Sequence, residues 1–188
     1  MIKNIFVVAG HGKNWYGATD CGAVAGNLTE RAINIKVARE LTAKLKKNYP
    51  KKYIQSIGVE TEASIKQKQK FLKSCIVQNG LNPDECLALH LHCNAHSDTD
   101  ARGVECYASL SAVEGLAGTL TENLANWFST KNRGAKKTRG TRAEYIENDA
   151  CPALLLEMGF LSNLTDRTYL LRPRNLAESI LFILKKFI

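Results

Sequence analysis

No apolar run in the sequence approaches the ~18 residues of a membrane-spanning helix, which argues against an integral helical membrane protein. No cleavable leader is expected either. Met1-Ile2-Lys3-Asn4-Ile5-Phe6-Val7-Val8-Ala9 has one Lys and too short an apolar run, so synthesis in the cytoplasm without a signal peptide is expected. None of the six cysteines (Cys21, Cys75, Cys86, Cys93, Cys106 and Cys151) forms a C-x-x-C pair, and their irregular spacing does not suit the disulfide framework of a small secreted domain. They are expected as reduced thiols. Internal repeats, low-complexity tracts, linkers, helix-turn-helix patterns and Cys/His finger spacings are absent too.

What is present is ordinary globular sequence. The 188 residues are 45% hydrophobic and 23% charged, enough to bury a core, so wholesale disorder and a coiled coil are disfavoured. Lys and Arg number 26 against 18 Asp and Glu, a formal charge of +8. Such an excess favours a polyanionic partner: nucleic acid, an anionic membrane or an anionic envelope polymer. It falls mainly in Lys44 to Lys52, Lys66 to Lys73 and Lys131 to Arg142, and solvated helix faces and loops are the plainer reading of the first two stretches. These stretches lack interleaved aromatics, which counts against nucleic acid.

Apolar patterning predicts a buried strand over residues 5–9, then a polar, Gly-rich loop to about Asn27. A helix is expected over 29–48, with Thr29 as N-cap and Ala32, Ile33, Ile35, Val37, Ala38, Leu41 and Leu45 near helical spacing. Further strands are expected over 54–59, 86–92 and 103–108, briefly around Tyr145-Ile146, and over 153–158. Helices are expected over 62–78, 113–129 and 175–187, with Tyr107 and Trp127 in the core. Strands mixed with long helices predict an α/β fold, its central sheet covered on both faces.

The four histidines are His11, His90, His92 and His96. His11 ends the first predicted strand, and His90 and His92 end the third; in a parallel or mixed sheet such ends gather at one edge, where sites form. Strand alternation puts His90 and His92 on one face and Leu89, Leu91 and Cys93 on the other, so Cys93 is a poor co-ligand. Imidazoles with a carboxylate suit zinc, and a catalytic zinc keeps three protein ligands and an open position. The candidate carboxylates are Asp20, Glu30, Glu105 and Glu157. Glu157 follows the apolar run Ala153-Leu154-Leu155-Leu156 and is costly to desolvate alone, so it should face a metal, a substrate or an Arg. Glu30, in a first helical turn, also reads as a charge favoured by the helix dipole. Spacing alone leaves a metal site and satisfied structural histidines as the two readings.

A series of motifs then appears in order: Ala9-Gly10-His11-Gly12, Asp20-Cys21-Gly22-Ala23, Glu30 at a helix start, His92-Cys93-Asn94-Ala95, Gly103-Val104-Glu105-Cys106-Tyr107, Arg133-Gly134-Ala135-Lys136, and Cys151-Pro152 running through Glu157-Met158-Gly159-Phe160 to Asn163. In these the chain resembles the type-3 family of zinc-dependent N-acetylmuramoyl-L-alanine amidases, the peptidoglycan amidases of autolysins, sporulation lytic enzymes and phage endolysins. The resemblance implies a single catalytic domain over residues 1–188, built on a twisted, six-stranded, mostly parallel mixed sheet with helices on both faces. It makes His11, Glu30 and His92 the ligands of one zinc ion and Glu157 the catalytic carboxylate. Asn94 and Arg133 become candidate substrate contacts, and Asp20 a candidate for orienting a ligating His. His90 stands where the family commonly has a small polar residue, and is read as a hydrogen-bond donor behind the ligands, a substrate contact or a further ligand. Glu60-Thr61-Glu62 replaces the family's Thr-Arg after the second strand, which puts the role of that Arg in doubt.

The implied reaction is hydrolysis of the amide between N-acetylmuramic acid and L-alanine in peptidoglycan, by a monomer that acts on the cell wall as an endolysin or autolysin does. On that reading the +8 serves attraction to anionic envelope polymers, and no nucleic acid or membrane partner is expected. The competing readings are a zinc peptidase or carboxypeptidase, and a basic nucleic-acid-binding domain without metal.

Overall fold

The computed structural model describes residues 1–14 and 16–188. Six strands form the main sheet: β1 (Asn4–Ala9), β2 (Ile54–Ile57), β3 (Cys86–Asn94), β4 (Val104–Ala108), β5 (Asn132–Lys137) and β6 (Ala153–Phe160), in the order β2-β1-β3-β6-β4-β5. β2, β1, β3 and β6 run parallel, β4 is antiparallel to β6, and β5 is parallel to β4. The helices are α1 (Glu30–Asn48), α2 (Ile65–Gln78), α3 (Glu114–Phe128), α4 (Leu164–Leu170) and α5 (Pro173–Leu184). The expected mostly parallel mixed sheet with helices on both faces is thus present.

The inner strands β1, β3 and β6 are near-continuous apolar runs because both of their faces are covered. The two layers are unequal. Leu87, Leu89 and Leu91 of β3 and Leu154, Leu156 and Met158 of β6 point into the larger core, filled by Val37 and Leu41 of α1, Leu120 of α3 and Ile180 of α5. On the other face Phe6, Val8, Ala88 and Leu155 join a smaller cluster with Leu72, Cys75 and Ile76 of α2 and Ile146 of a 3-10 turn. Histidines and carboxylates take over this thinner face at the C-terminal ends of β3 and β6. Local signals start the helices: the Thr29 hydroxyl accepts from the Ala32 N–H as expected, whereas α2 starts at Ile65 rather than at residue 62, behind a capping box formed by Ser64 with Gln67.

Several expectations need correction. Tyr145 and Ile146 lie in the 3-10 turn Glu144–Asn148, not in a strand; the outermost strand is β5, Asn-Arg-Gly-Ala-Lys-Lys. Its one paired neighbour is β4, so it buries little and carries no apolar alternation to betray it. The Gly-rich loop holds two small hairpins, Gly12–Lys13 with Thr19–Asp20 and Val24–Ala25 with Leu28–Thr29. α4 is an added short helix capped by the Asn163 side chain. Trp127 is 53% exposed, edge-on to Phe182 at 5.6 Å, and Tyr107 is half-buried, so neither is core. Within the basic stretch 66–73, Lys68 is buried rather than solvated. All six cysteines are free thiols, and among the described residues no helix is long and apolar enough to cross a membrane.

Candidate metal centre and active site

Three elements deliver three ligand groups to one point. β1 ends at Gly10-His11, α1 opens with Glu30, and β3 presents His92 near its end. One ligand atom from each of His11, Glu30 and His92 lies within 4.8 Å of the others. The second ring nitrogens say which atoms these are. His11 Nδ1 meets Asp20 Oδ2 at 2.9 Å, turning Nε2 to Glu30 Oε2 at 3.0 Å; His92 Nε2 meets the Tyr145 hydroxyl at 3.1 Å, turning Nδ1 to Glu30 Oε1 at 2.9 Å. The Glu30 carboxylate is fixed by backbone N–H groups, Ala23 donating to Oε2 at 2.9 Å and Cys93 to Oε1 at 3.0 Å.

Backbone geometry is shaped around these groups. A Cβ on Gly10 would sit 2.4 Å from the His92 ring, and one on Gly22, whose φ is +66°, would sit 2.4 Å from Glu30 Oε2 and 2.5 Å from the His11 ring. Both positions need glycine for side chains to converge. His11 itself has φ 60°, in the left-handed region that non-glycine residues seldom enter. The buried Lys68 ammonium holds that turn by donating to the carbonyls of Ala9, at 2.6 Å, and His11. Burial lowers the Lys68 pKa to about 8.

The electrostatics fit a cation site. Burial opposes ionisation of Glu30, yet hydrogen bonds from His11 and His92 hold it well below the usual carboxylate range. Burial works against a charged His11 too, but Glu30 and Asp20 push it up to about 9. His92 is buried, and burial pulls it below the ordinary imidazole value despite Glu30. Two imidazoles and one preorganised carboxylate are a donor set that a divalent ion satisfies well.

Glu157 stands beside this cluster, registered with His92 on one side and with Glu105 on the other. Its Oε2 is buried and has no hydrogen-bond partner among the described residues. Burial first, then the charges of Glu30 and Glu105, push it up to about 8. Asn94 donates to Glu105 Oε1 at 3.0 Å, and Arg133 Nε donates to Glu105 Oε2 at 2.7 Å while its guanidinium lies 4.9 Å from the Phe160 ring centroid. His90 pairs with Asp149. His96 is exposed and serves a local turn, its Nδ1 accepting from the Asp98 N–H. Sequence reasoning missed Lys68, Lys136, Tyr145 and Asp149. Lys68 left a trace, for it occupies an α2 position in step with Leu72, Cys75 and Ile76 where an apolar residue would be usual.

The sequence model of the family described as N-acetylmuramoyl-L-alanine amidase matches residues 5–184. The chain belongs to this amidase family. Among the amidases it is similar to, N-acetylmuramoyl-L-alanine amidase LytC of Bacillus subtilis (strain 168) is 27% identical over 173 residues, covering 89% of this chain and 31% of LytC. The probable cell wall amidase LytH of Staphylococcus epidermidis (strain ATCC 12228) is 25% identical over 166 residues, covering 88% of this chain and 50% of LytH. The chain therefore spans about a third to a half of these relatives. The catalytic domain of the amidase CwlV from Bacillus (Paenibacillus) polymyxa var. colistinus shares the fold, with a TM-score of 0.79 at 24% identity over 99% of this chain and 98% of that one.

Proposed function

We propose that the chain is a zinc-dependent N-acetylmuramoyl-L-alanine amidase that cleaves the amide between N-acetylmuramic acid and the L-alanine of the stem peptide in peptidoglycan. The observation that carries this reading is the carboxylate of Glu157, whose buried Oε2 has no hydrogen-bond partner among the described residues, set beside a two-imidazole, one-carboxylate donor group in an amidase fold. The donors fit the ion: the glycines at 10 and 22 leave room for convergence, and each imidazole has its second nitrogen engaged elsewhere.

His11 Nε2, the Glu30 carboxylate and His92 Nδ1 would hold the zinc. When bound, zinc supplies Lewis acidity, polarising the scissile carbonyl and making water a stronger acid. Asp20 keeps the His11 ring turned toward the site. Glu157 takes the proton from the attacking water and returns it to the departing alanine nitrogen, since a carboxyl poised near neutrality can do both. Asn94 and Arg133, joined through Glu105, are placed to contact the stem peptide, the Arg meeting a peptide carboxylate. The +8 charge favours attraction to anionic envelope polymers, in keeping with action on the cell wall.

The deciding experiment is digestion of purified peptidoglycan by the zinc-loaded chain. New L-alanine amino termini without new reducing sugars are expected, lost with a chelator and restored by zinc. New termini elsewhere in the stem peptide would instead establish a zinc peptidase. Salt-dependent DNA binding by a chain that takes up no metal would overturn both.

A further inference from the structure

His90, Tyr145 and Asp149 take no part in the chemistry above, yet they join into one buried line that ends on a proposed ligand. His90 lies two residues before His92 on the same face of β3; Tyr145 lies in the 3-10 turn between β5 and β6, and Asp149 directly follows that turn. Asp149 Oδ2 sits 2.6 Å from His90 Nε2; the Tyr145 hydroxyl lies 3.4 Å from His90 Nδ1 and 3.1 Å from His92 Nε2. The Asp149 side chain is fully buried and His90 nearly so. Asp149 Oδ1 has no hydrogen-bond partner among the described residues, so His90 is this carboxylate's principal bond. Gln69 of α2 donates to the Tyr145 carbonyl at 2.9 Å and pins the turn in place.

We infer that Tyr145, His90 and Asp149 form a hydrogen-bond relay that selects the tautomer of His92 and so prepares its Nδ1 as a metal ligand. The inference rests on the metal reading of the site. The direction of each bond follows from the end groups. A carboxylate oxygen accepts, so Asp149 Oδ2 takes the hydrogen of His90 Nε2, and in a neutral imidazole the other nitrogen is the acceptor. His90 Nδ1 then accepts, and the donor facing it is the Tyr145 hydroxyl. With its hydrogen spent on His90, the Tyr145 oxygen accepts from His92 Nε2–H. The hydrogen on His92 is thereby held at Nε2, and the Nδ1 lone pair faces Glu30 and the ion position. Ligating histidines usually donate their second N–H straight to a carboxylate or carbonyl. Here a tyrosine and a second histidine are interposed between His92 and the carboxylate. These are positioning residues: none touches substrate.

The test uses the full chain and zinc alone, titrated in competition with a chromophoric chelator. Tyr145→Phe keeps the ring but leaves His92 Nε2–H without its acceptor, and should weaken zinc binding by about 10- to 100-fold. Asp149→Asn should weaken it less. The double variant should bind no more weakly than Tyr145→Phe alone, because the relay is already cut. Nitrogen-15 spectra of the zinc-loaded wild type should place the His92 hydrogen on Nε2, a signature that packing alone does not dictate and that needs no variant to fold. Unchanged zinc affinity in Tyr145→Phe, additive losses in the double variant, or a His92 hydrogen on Nδ1 would each overturn the relay while leaving the metal site standing. A wild type that takes up no zinc would overturn the metal reading itself.

Discussion

Glu157 and Glu105 face each other across one rung of the β6–β4 pair. They are the same residue type, and each side chain is withdrawn from water. Glu105 Oε1 accepts from Asn94 and from the Tyr107 hydroxyl, at 3.0 and 3.1 Å, while Oε2 accepts from Arg133 and Lys136, at 2.7 and 2.6 Å. Burial would raise its pKa, but Lys136 and Arg133 hold it below the ordinary carboxylate value. Glu157 has an orphaned oxygen and is pushed up to about 8 by burial and by Glu30 and Glu105. One rung therefore separates a saturated carboxylate, which stays ionised and organises its neighbours, from a starved one that exchanges a proton near neutral pH. Partnering rather than residue type assigns the roles, and Glu105 helps Glu157 by adding its own negative charge to the rung.

The largest break in this comparison is Glu157→Gln. The amide keeps the shape of the side chain but cannot relay a proton, so peptidoglycan hydrolysis should fall by about 10²- to 10⁴-fold. Zinc content by elemental analysis should be unchanged, and the melting temperature should not drop, because Oε2 has no hydrogen bond to lose. Full hydrolysis by Glu157→Gln would remove it from the mechanism. Glu105→Gln should do the converse. It deprives two cations of their shared partner, and denaturant unfolding should show a loss of about 1–3 kcal/mol with a smaller effect on hydrolysis than Glu157→Gln. Should Glu105→Gln abolish turnover at unchanged stability, the two roles would have to be exchanged.

The contrast between these residues also marks how far the sequence could be read. Both carboxylates stood among the candidates, and Glu157 was singled out because its strand is otherwise apolar. The inner strands were legible for the same reason: burial on both faces writes itself as continuous apolar runs. β5 was not legible. It is an edge strand whose burial comes from Arg133 and Lys136 reaching Glu105, a long-range pairing that no local periodicity encodes. Tyr145 was misplaced because an aromatic next to Ile resembles a strand until tertiary contacts bend it into a turn. The convergence of His11, Glu30 and His92 was anticipated from strand ends and motifs, whereas the Lys68 clamp and the Asp149–His90–Tyr145 line depend on side chains from three different elements and required coordinates.

A sharper form of the comparison is the pH dependence of stability in chelator-treated protein. A carboxyl held at about 8 in the folded state, against 4.5 ordinarily, keeps a proton that the unfolded chain has already released between those two values. The folded state binds more protons there, so stability falls as pH rises across that window and levels off above it. Glu157→Gln lacks this liability. Its melting temperature relative to wild type should climb from about pH 4.5 to about pH 8 and then stay level. A difference that is flat over the whole range would mean that Glu157 is ionised throughout.

The smallest effect is expected where the saturated carboxylate has partners to spare. Lys136 is about a third exposed, and Arg133 remains on Glu105 when it is removed, so Lys136→Met should cost less than about 1 kcal/mol in denaturant unfolding after solvent screening is allowed for. Its effect on Glu157 is of a different kind. The Lys136 charge favours the ionised form of Glu157, as does His11, against the burial that raises it. Deleting that charge should move the limb of the pH–rate profile on which Glu157 must be ionised toward higher pH, with the rate at saturating alkaline pH little changed. An unmoved limb would show that the Lys136 charge does not reach Glu157, leaving burial, Glu30 and Glu105 to set its proton affinity.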